Sequence, residues 1–183
     1  MNDFASDDAF QRAKRDELLL PGFYGEYACE GRYVVVDKGR LATLLQQRYA
    51  IDTWVQGRDG TCIAIEEKIV RWKGYRYHSF FFETRSCTVP GFESDGWMVY
   101  GKADYLLYCF TQADGGLECW LIEFPALQAW FWPRVEQFKL HVMDEKNRSE
   151  GRLVPTMMVH RAVRTWRRRI ARVGDDVVTE KVA

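Results

Sequence analysis

The 183-residue sequence lacks the marks of a zinc-finger, disulfide-rich or membrane protein. Its five cysteines are scattered and form no CxxC pair, and its three histidines lack the close spacing of zinc ligands, so no zinc site is expected. No apolar run is long enough to span a bilayer. The N-terminus lacks the basic and apolar regions of a secretory signal. These absences predict a cytoplasmic protein without a membrane partner.

The sequence also lacks an excess of charge of either sign. It has 26 Lys and Arg against 26 Asp and Glu, so any affinity for polyanions must come from local clusters. The hydrophobic fraction of 47% and charged fraction of 28% are typical of a globular chain, and the length suits one domain. We therefore expect a single domain over 1–183. Its predicted parts are an N-terminal helical arm (1–30), a core (39–160), a basic C-terminal helix (161–173) and a loose tail (174–183).

The order of the predicted elements favours an α+β (α/β) fold, with a central mixed β-sheet flanked by helices. An amphipathic helix at 40–49 precedes strands at 51–56 and 61–72, which a glycine-flanked turn joins into a hairpin. A third strand at 76–86 would complete a meander. The arginine-rich segment 161–173 is predicted as the final helix.

Farther along the chain, apolar runs predict strands over 97–110 and 117–124, joined by an Asp-Gly-Gly turn. Pro125 is well placed to begin a helix, because proline is tolerated in the first helical turn.

Three charged residues on the predicted hairpin suggest chemistry. Alternate residues of a strand face the same side, so Glu66 and Lys68 share a surface that excludes Glu67. The hairpin returns Asp52 alongside, where its carboxylate and that of Glu66 could bind one ion if the register allows it. Oxygen ligands suit a hard cation such as Mg²⁺.

The pattern of Asp52 followed by Glu66-Glu67-Lys68 resembles the PD-(D/E)XK, or restriction-endonuclease-like, nuclease superfamily. In that family a helix precedes a β-meander and then a helix and a strand, and an Asp on the second core strand precedes a strand bearing Glu-x-Lys. The resemblance implies a Mg²⁺-dependent (or Mn²⁺-dependent) nuclease that hydrolyses phosphodiester bonds in DNA. Asp52 and Glu66 would be the metal ligands, and Asp52, Glu66 and Lys68 the catalytic residues.

The chain departs from this family's pattern in two ways. Ile51 stands where the family has its nominal proline, and the helix at 40–49 contains no acidic residue, although many members carry one there. Members of such a family also lose activity while keeping the fold, so the alternative is an inactive nuclease-fold module that binds nucleic acid or a protein partner. A third interpretation is a protein that binds a small ligand in an aromatic pocket.

Two basic clusters are candidate nucleic-acid contacts, and solvated surface is the alternative for both. One is interleaved with aromatic residues after the motif strand, and the other lies on the predicted C-terminal helix, which also carries Arg169 and Arg172. Their members are Arg71, Lys73 and Arg76 in the first, and Arg161, Arg164, Arg167 and Arg168 in the second.

Four further polar residues could support the site. Asp104 and Glu123 lie in or beside apolar strands, where an acid is costly unless it is paired or binds a ligand, although solvent-exposed strand ends would explain both. Glu83 and Ser86, on the predicted third strand, could support the motif strand as neighbours. The sequence leaves the oligomeric state open, a homodimer included.

Overall fold

The computed structural model describes residues 4–24, 33–35, 44–46, 48–56, 60–71, 78–143, 148–173 and 176–182. The helical segments are α1 (Phe4–Lys14), a π-helical segment (Arg15–Tyr24), α2 (Trp97–Tyr100), α3 (Phe124–Phe131), a 3₁₀ segment (Trp132–Gln137) and α4 (Thr156–Ala162). The strands are β1 (Tyr33–Val35), β2 (Thr53–Gln56), β3 (Cys62–Val70), β4 (Ser79–Cys87), β5 (Ser94–Asp95), β6 (Tyr105–Thr111), β7 (Leu117–Glu123), β8 (Lys139–Val142), β9 (Glu150–Pro155), β10 (Thr165–Val173) and β11 (Asp176–Lys181).

The fold is mixed α+β with flanking helices, as the order of elements predicted. The described residues form two sheets, whereas the sequence predicted one central sheet. In the part of the chain that the structure describes, the larger sheet has seven strands in the order β1-β2-β3-β6-β7-β10-β11, and the smaller has four in the order β5-β4-β9-β8. The pair β3 and β6 is parallel, which makes the larger sheet mixed, whereas the strands of the smaller sheet pair antiparallel. Among the described residues, no helix is long and apolar enough to cross a membrane.

The predicted hairpin forms, but the predicted third strand of the meander leaves the sheet. Strands β2 and β3 pair antiparallel with Thr53 opposite Ile65, while β4 pairs with β9 and β5 in the smaller sheet. The other neighbour of β3 is β6, and β1 joins the far side of β2. The prediction was wrong here because adjacency in sequence does not decide between an antiparallel neighbour and a distant parallel one. A strand as fully buried as β6 is typical of a position in the middle of a sheet.

The C-terminal segment also differs from its prediction. Helix α4 ends at Ala162, and the arginine-rich residues that follow form β10, which pairs with β7 on one side and β11 on the other. The tail predicted to be loose contains β11. Ile170 at the centre of β10 is fully buried, so backbone pairing on both edges and burial of this side chain override the helical spacing of the arginines.

Two smaller differences concern the helical segments. Residues 97–100 form the short helix α2 rather than a strand, and α3 has its proline in the first turn, as predicted. Within the predicted N-terminal helical arm, α1 continues as the π-helical segment to Tyr24. This segment is more than a peripheral arm, because Leu18, Leu19 and Tyr24 are at most 1% exposed.

The two faces of the larger sheet bury separate cores, and β3 contributes to both. One face packs against the π-helical segment through Leu19, Ile65 and Leu107. The opposite face packs against the smaller sheet and α3, and it is rich in aromatic rings such as Phe80 and Phe124. A polar residue on β3 therefore faces one of two packed layers, and each layer sets a different environment for it.

Candidate functional site

The predicted site lies where β2 and β3 meet. Asp52 directly precedes β2, and the pairing of Thr53 with Ile65 places it opposite Glu66. The Asp52 amide donates a hydrogen bond to the carbonyl oxygen of Ile65 over 2.9 Å, which extends the ladder by one residue. The carboxylate of Asp52 is fixed at both oxygens. Oδ1 accepts from Nε2 of Gln46 at 3.2 Å, and Oδ2 accepts from the Glu67 amide at 2.9 Å.

Glu66 and Lys68 face the same side, as strand alternation predicted. Their side chains form an ion pair, in which the Glu66 side chain is 4% exposed and that of Lys68 is 30% exposed. The ammonium of Lys68 also lies 5.5 Å from the ring centre of Trp97, in α2. The structure thus brings Asp52, Glu66 and Lys68 together, with the buried carboxylate innermost and the ammonium partly open to solvent.

The electrostatics of this group are those of two acids held close together. Burial, and next the charge of Asp52, raises the pKa of Glu66 well above its ordinary value, and Lys68 offsets only part of this effect. Burial acts to lower the pKa of Lys68, but the charges of Glu66 and Asp52 outweigh it and raise that pKa. Lys68 therefore remains an ammonium. Ionisation of Glu66 costs free energy, and a further cation beside the carboxylate would reduce that cost.

The smaller sheet and α2 supply the neighbours of this group. Glu83 of β4 is close enough for its charge to raise the pKa of Lys68, and Ser86 donates a hydrogen bond to the Glu83 carboxylate. The phenol of Tyr100 has a pKa raised chiefly by burial, and the charges of Lys68 and Glu66 also act on it. Glu83 thus lies near Lys68 of β3 although β4 belongs to the other sheet, and Ser86 contacts Glu83.

Sequence reasoning missed what holds the opposite face of β3. The Glu67 carboxylate accepts hydrogen bonds from Arg15 Nε at 2.5 Å, Tyr24 Oη at 2.5 Å and Thr53 Oγ1 at 2.6 Å. The signal was present in the alternation, because Glu67 shares its face with Ile65 and Ile69, and a buried acid needs partners. The sequence did not say where in the chain those partners lie.

The two further acids do not join Asp52 and Glu66. Asp104 is exposed, and its Oδ2 accepts a hydrogen bond from the Ala64 amide at 2.8 Å, which ties the start of β6 to β3. Glu123 is 33% exposed and lies 3.7 Å from the Arg164 guanidinium. Both have structural contacts that account for an acid beside an apolar strand.

The first basic cluster is only partly described. Lys73 and Arg76 lie outside the described residues. Arg71 is exposed at the end of β3, and its guanidinium lies 4.6 Å from the ring centre of Phe10 in α1. Nucleic-acid binding by Arg71, Lys73 and Arg76 stays a prediction.

The second basic cluster is not the single helical stripe that the sequence suggested. Arg161 is in α4, and Arg167 and Arg168 are consecutive in β10, so their side chains point to opposite faces of the sheet. Arg167 pairs with Glu118 at 3.0 Å and lies 5.0 Å from the ring centre of Trp120. Arg164 lies 4.7 Å from the ring centre of Trp166. A shared role in binding nucleic acid remains a prediction.

At this site, the carboxylates of Asp52 and Glu66 could hold a cation. Within the described part of the chain, no group of three or more His, Cys, Asp or Glu side chains is arranged to bind a metal ion. A divalent ion at this site would therefore use two carboxylates and complete its coordination with water, as Mg²⁺ commonly does.

Comparisons with protein-family models, with curated proteins and with solved structures find no match to this chain.

Proposed function

We propose that this protein is a Mg²⁺-dependent or Mn²⁺-dependent nuclease that hydrolyses phosphodiester bonds in DNA, with Asp52 and Glu66 as metal ligands and Lys68 as the catalytic lysine. The observation that carries the proposal is the meeting of these three side chains at the β2–β3 hairpin, with Glu66 buried beside a second carboxylate. A hard divalent cation between the two acids would relieve their repulsion and leave coordination positions for water and phosphate.

The strand arrangement around the hairpin supports a restriction-endonuclease-like fold. Strands β1, β2 and β3 run as an antiparallel meander, and α2 leads into β6, which lies parallel to β3. The resemblance implies this order of meander, helix and strand. Strands β4 and β5, which stand between β3 and α2, are an addition that this order does not require.

The side chains suit the chemistry of phosphodiester hydrolysis. When bound, the cation would polarise the phosphate and lower the pKa of a coordinated water. Asp52 and Glu66 would hold it through carboxylate oxygens. Lys68 stays protonated beside these acids and is partly exposed, so its ammonium can donate to a phosphate oxygen and stabilise the charge that develops in the transition state.

Cleavage assays on DNA and RNA, single-stranded and double-stranded, test the proposal. The wild-type protein should cut DNA with Mg²⁺ or Mn²⁺ and stop when EDTA is added. Glu66→Gln and Lys68→Met should each lower the rate at least about a hundredfold, because each removes a group that acts on the transition state. Glu136→Gln is the matched control, since that carboxylate is 81% exposed in an ion pair with Arg152. If folded wild-type protein leaves every substrate intact with both metals, the proposal is wrong.

A second candidate, an inactive module with the same fold, is favoured by one observation. Both oxygens of Asp52 accept hydrogen bonds from Gln46 and the Glu67 amide, and Glu66 is paired with Lys68, so each of the three side chains already has a partner within the protein. In that case the site would serve only to hold the hairpin. DNA binding without cleavage, unchanged in Glu66→Gln, would support this candidate over the nuclease.

A further inference from the structure

A buried polar cluster lies directly behind the candidate metal site. It consists of Arg15, Tyr24, Thr53 and Glu67, and each of these residues is at most 9% exposed. The Glu67 carboxylate is the centre, because it accepts a hydrogen bond from each of the other three, with donor–acceptor distances of 2.5 to 2.6 Å. This packing fixes the Glu67 side chain from three directions.

The cluster touches the candidate site at two points. The backbone amide of Glu67 donates to Asp52 Oδ2 at 2.9 Å, so the residue that anchors the cluster also holds the first carboxylate. Thr53, which binds the Glu67 side chain, directly follows Asp52 in the chain. A shift of Glu67 would therefore move both the donor to the Asp52 carboxylate and the backbone beside it.

The charge in this cluster comes from far away in sequence. Arg15 begins the π-helical segment, 52 residues before Glu67, and forms an ion pair with it. A buried carboxylate depends on such a partner, because losing the cation leaves an uncompensated charge in the interior. The neighbouring Leu18 and Leu19 are buried in the same core, which holds the segment against the sheet.

We propose that Arg15 is a positioning residue for the metal site, acting through Glu67 on the Asp52 carboxylate. This inference rests on the proposed function for its consequence, since it assigns Asp52 as a metal ligand. Groups that orient a metal ligand without touching the metal affect metal affinity about 10- to 100-fold. If the cluster only stabilises the fold, a substitution in it would lower the stability of the whole protein and leave the metal affinity of the folded protein unchanged.

The test compares Arg15→Met, Arg15→Lys and Lys14→Met in the full-length protein, under conditions where circular dichroism shows each to be folded. Mn²⁺ affinity is measured by electron paramagnetic resonance. Arg15→Met should weaken Mn²⁺ binding about 10- to 100-fold, and Arg15→Lys should recover part of the loss because it keeps the charge. Lys14→Met is the matched control, since Lys14 pairs with the half-exposed Glu17, and it should bind Mn²⁺ like the wild type. Equal affinity in Arg15→Met and wild type would overturn the inference.

Two further measurements keep the outcome decisive. If Arg15→Met does not fold, Thr53→Val takes its place, because it removes one hydrogen bond to Glu67 and nearly preserves side-chain shape; wild-type affinity in that variant would also overturn the inference. Amide hydrogen exchange gives a readout that needs no metal. Arg15→Met and Thr53→Val should speed exchange of the Glu67 amide more than that of Val154 in β9. If the cluster only stabilises the fold, these substitutions would speed exchange of both amides equally.

The exchange data separate this inference from the proposed function. A wild-type protein that binds Mn²⁺ but cuts no DNA, and whose Mn²⁺ affinity and Glu67 amide protection both fall selectively in Arg15→Met, would remove the nuclease proposal and keep the positioning role. The opposite result is a wild-type protein that cuts DNA and an Arg15→Met variant with the same kinetics, the same Mn²⁺ affinity and the same protection of the Glu67 amide. That result would keep the nuclease proposal and remove the positioning role.

Discussion

The backbone amide of Glu67 donates a hydrogen bond to the Asp52 carboxylate at 2.9 Å, while the Glu67 side chain points to the opposite layer. One residue of β3 therefore connects the two faces of the larger sheet. Its neighbours Glu66 and Lys68 face the candidate site, and its own carboxylate faces the π-helical segment. Arg15, Tyr24 and Thr53, which hold the Glu67 side chain, therefore also help to fix the donor to the Asp52 carboxylate.

The first prediction is that divalent cations stabilise the fold. Asp52 and Glu66 are adjacent acids, so a cation between them should favour the folded state over the unfolded chain, in which they separate. At a cation concentration about 100-fold above the dissociation constant the gain is about 3 kcal/mol. Differential scanning fluorimetry with Mg²⁺ or Mn²⁺ against EDTA should therefore show a melting temperature raised by roughly 5 to 10 °C.

Matched variants give this prediction its control. Glu66→Gln and Asp52→Asn each remove one carboxylate and should lose most of the response, whereas Glu136→Gln should keep it. A shift of the same size in Glu66→Gln would place the cation elsewhere on the protein.

Local patterning predicted the hairpin and the shared face of Glu66 and Lys68, because both depend on residues within one strand and its turn. The register that sets Asp52 opposite Glu66 was left open by the sequence, since a slip by one residue would turn the side chains of one strand to the other face. The partners of the Glu67 side chain could not be predicted from the sequence for a different reason. Arg15 and Tyr24 come from a distant segment, and their contact with Glu67 depends on how that segment packs on the sheet.

The errors in the fold have a common cause in long-range pairing. The parallel pairing of β3 with β6 bypasses two intervening strands, and β4 finds its partner β9 more than sixty residues later. The C-terminal arginines were assigned to a helix from their spacing, yet a central place between β7 and β11 decided their conformation. Local propensity gives no information about which strand edges are available for pairing.

The second prediction concerns Arg167, which its contacts make a structural residue. Its guanidinium pairs with Glu118, whose side chain is 9% exposed and also accepts from Trp120 Nε1 at 2.9 Å. Arg167→Met should therefore lower the free energy of unfolding by about 1 to 3 kcal/mol, the cost of removing one partner of a largely buried polar group. Urea unfolding measures the change.

Arg161 provides the comparison for that experiment. It is exposed in the last turn of α4, so Arg161→Met should change stability by less than about 0.5 kcal/mol. Equal effects of the two substitutions would show that the Arg167–Glu118 pair contributes no more than a surface charge.

The third prediction concerns Gly151 in β9, where the chain leaves no room for a side chain. A Cβ atom there would lie 2.5 Å from the Phe81 ring and 2.6 Å from the carbonyl oxygen of Phe82. The ring can turn away, but the backbone oxygen belongs to the strand that pairs with β9. Gly151→Ala should cost about 1 to 3 kcal/mol in urea unfolding. Ser94→Ala, on the exposed strand β5 of the same sheet, should be nearly neutral, and a neutral Gly151→Ala would mean that β4 and β9 separate more easily than their pairing indicates.

The last prediction is a loss of stability at alkaline pH that depends on Tyr108. Burial raises the pKa of this phenol to about 12, against the opposing effects of the Phe81 amide, which donates to its oxygen at 3.2 Å, and of Lys68. The folded state thus favours the neutral phenol, while the unfolded chain ionises near pH 10. The contribution is complete below about pH 10 and is lost as the pH rises towards about 12.

Tyr108→Phe isolates this effect, because it removes the ionisable group and leaves the other tyrosines to titrate in both proteins. Urea unfolding at a series of pH values should show the wild type losing about 2 to 3 kcal/mol relative to the variant across this interval, as a two-unit shift requires. The variant starts from a lower or equal stability near neutral pH, since it has lost the acceptor for the Phe81 amide. Two stability curves that stay parallel up to the highest pH would show that the Tyr108 phenol ionises as readily in the folded protein as in the unfolded chain.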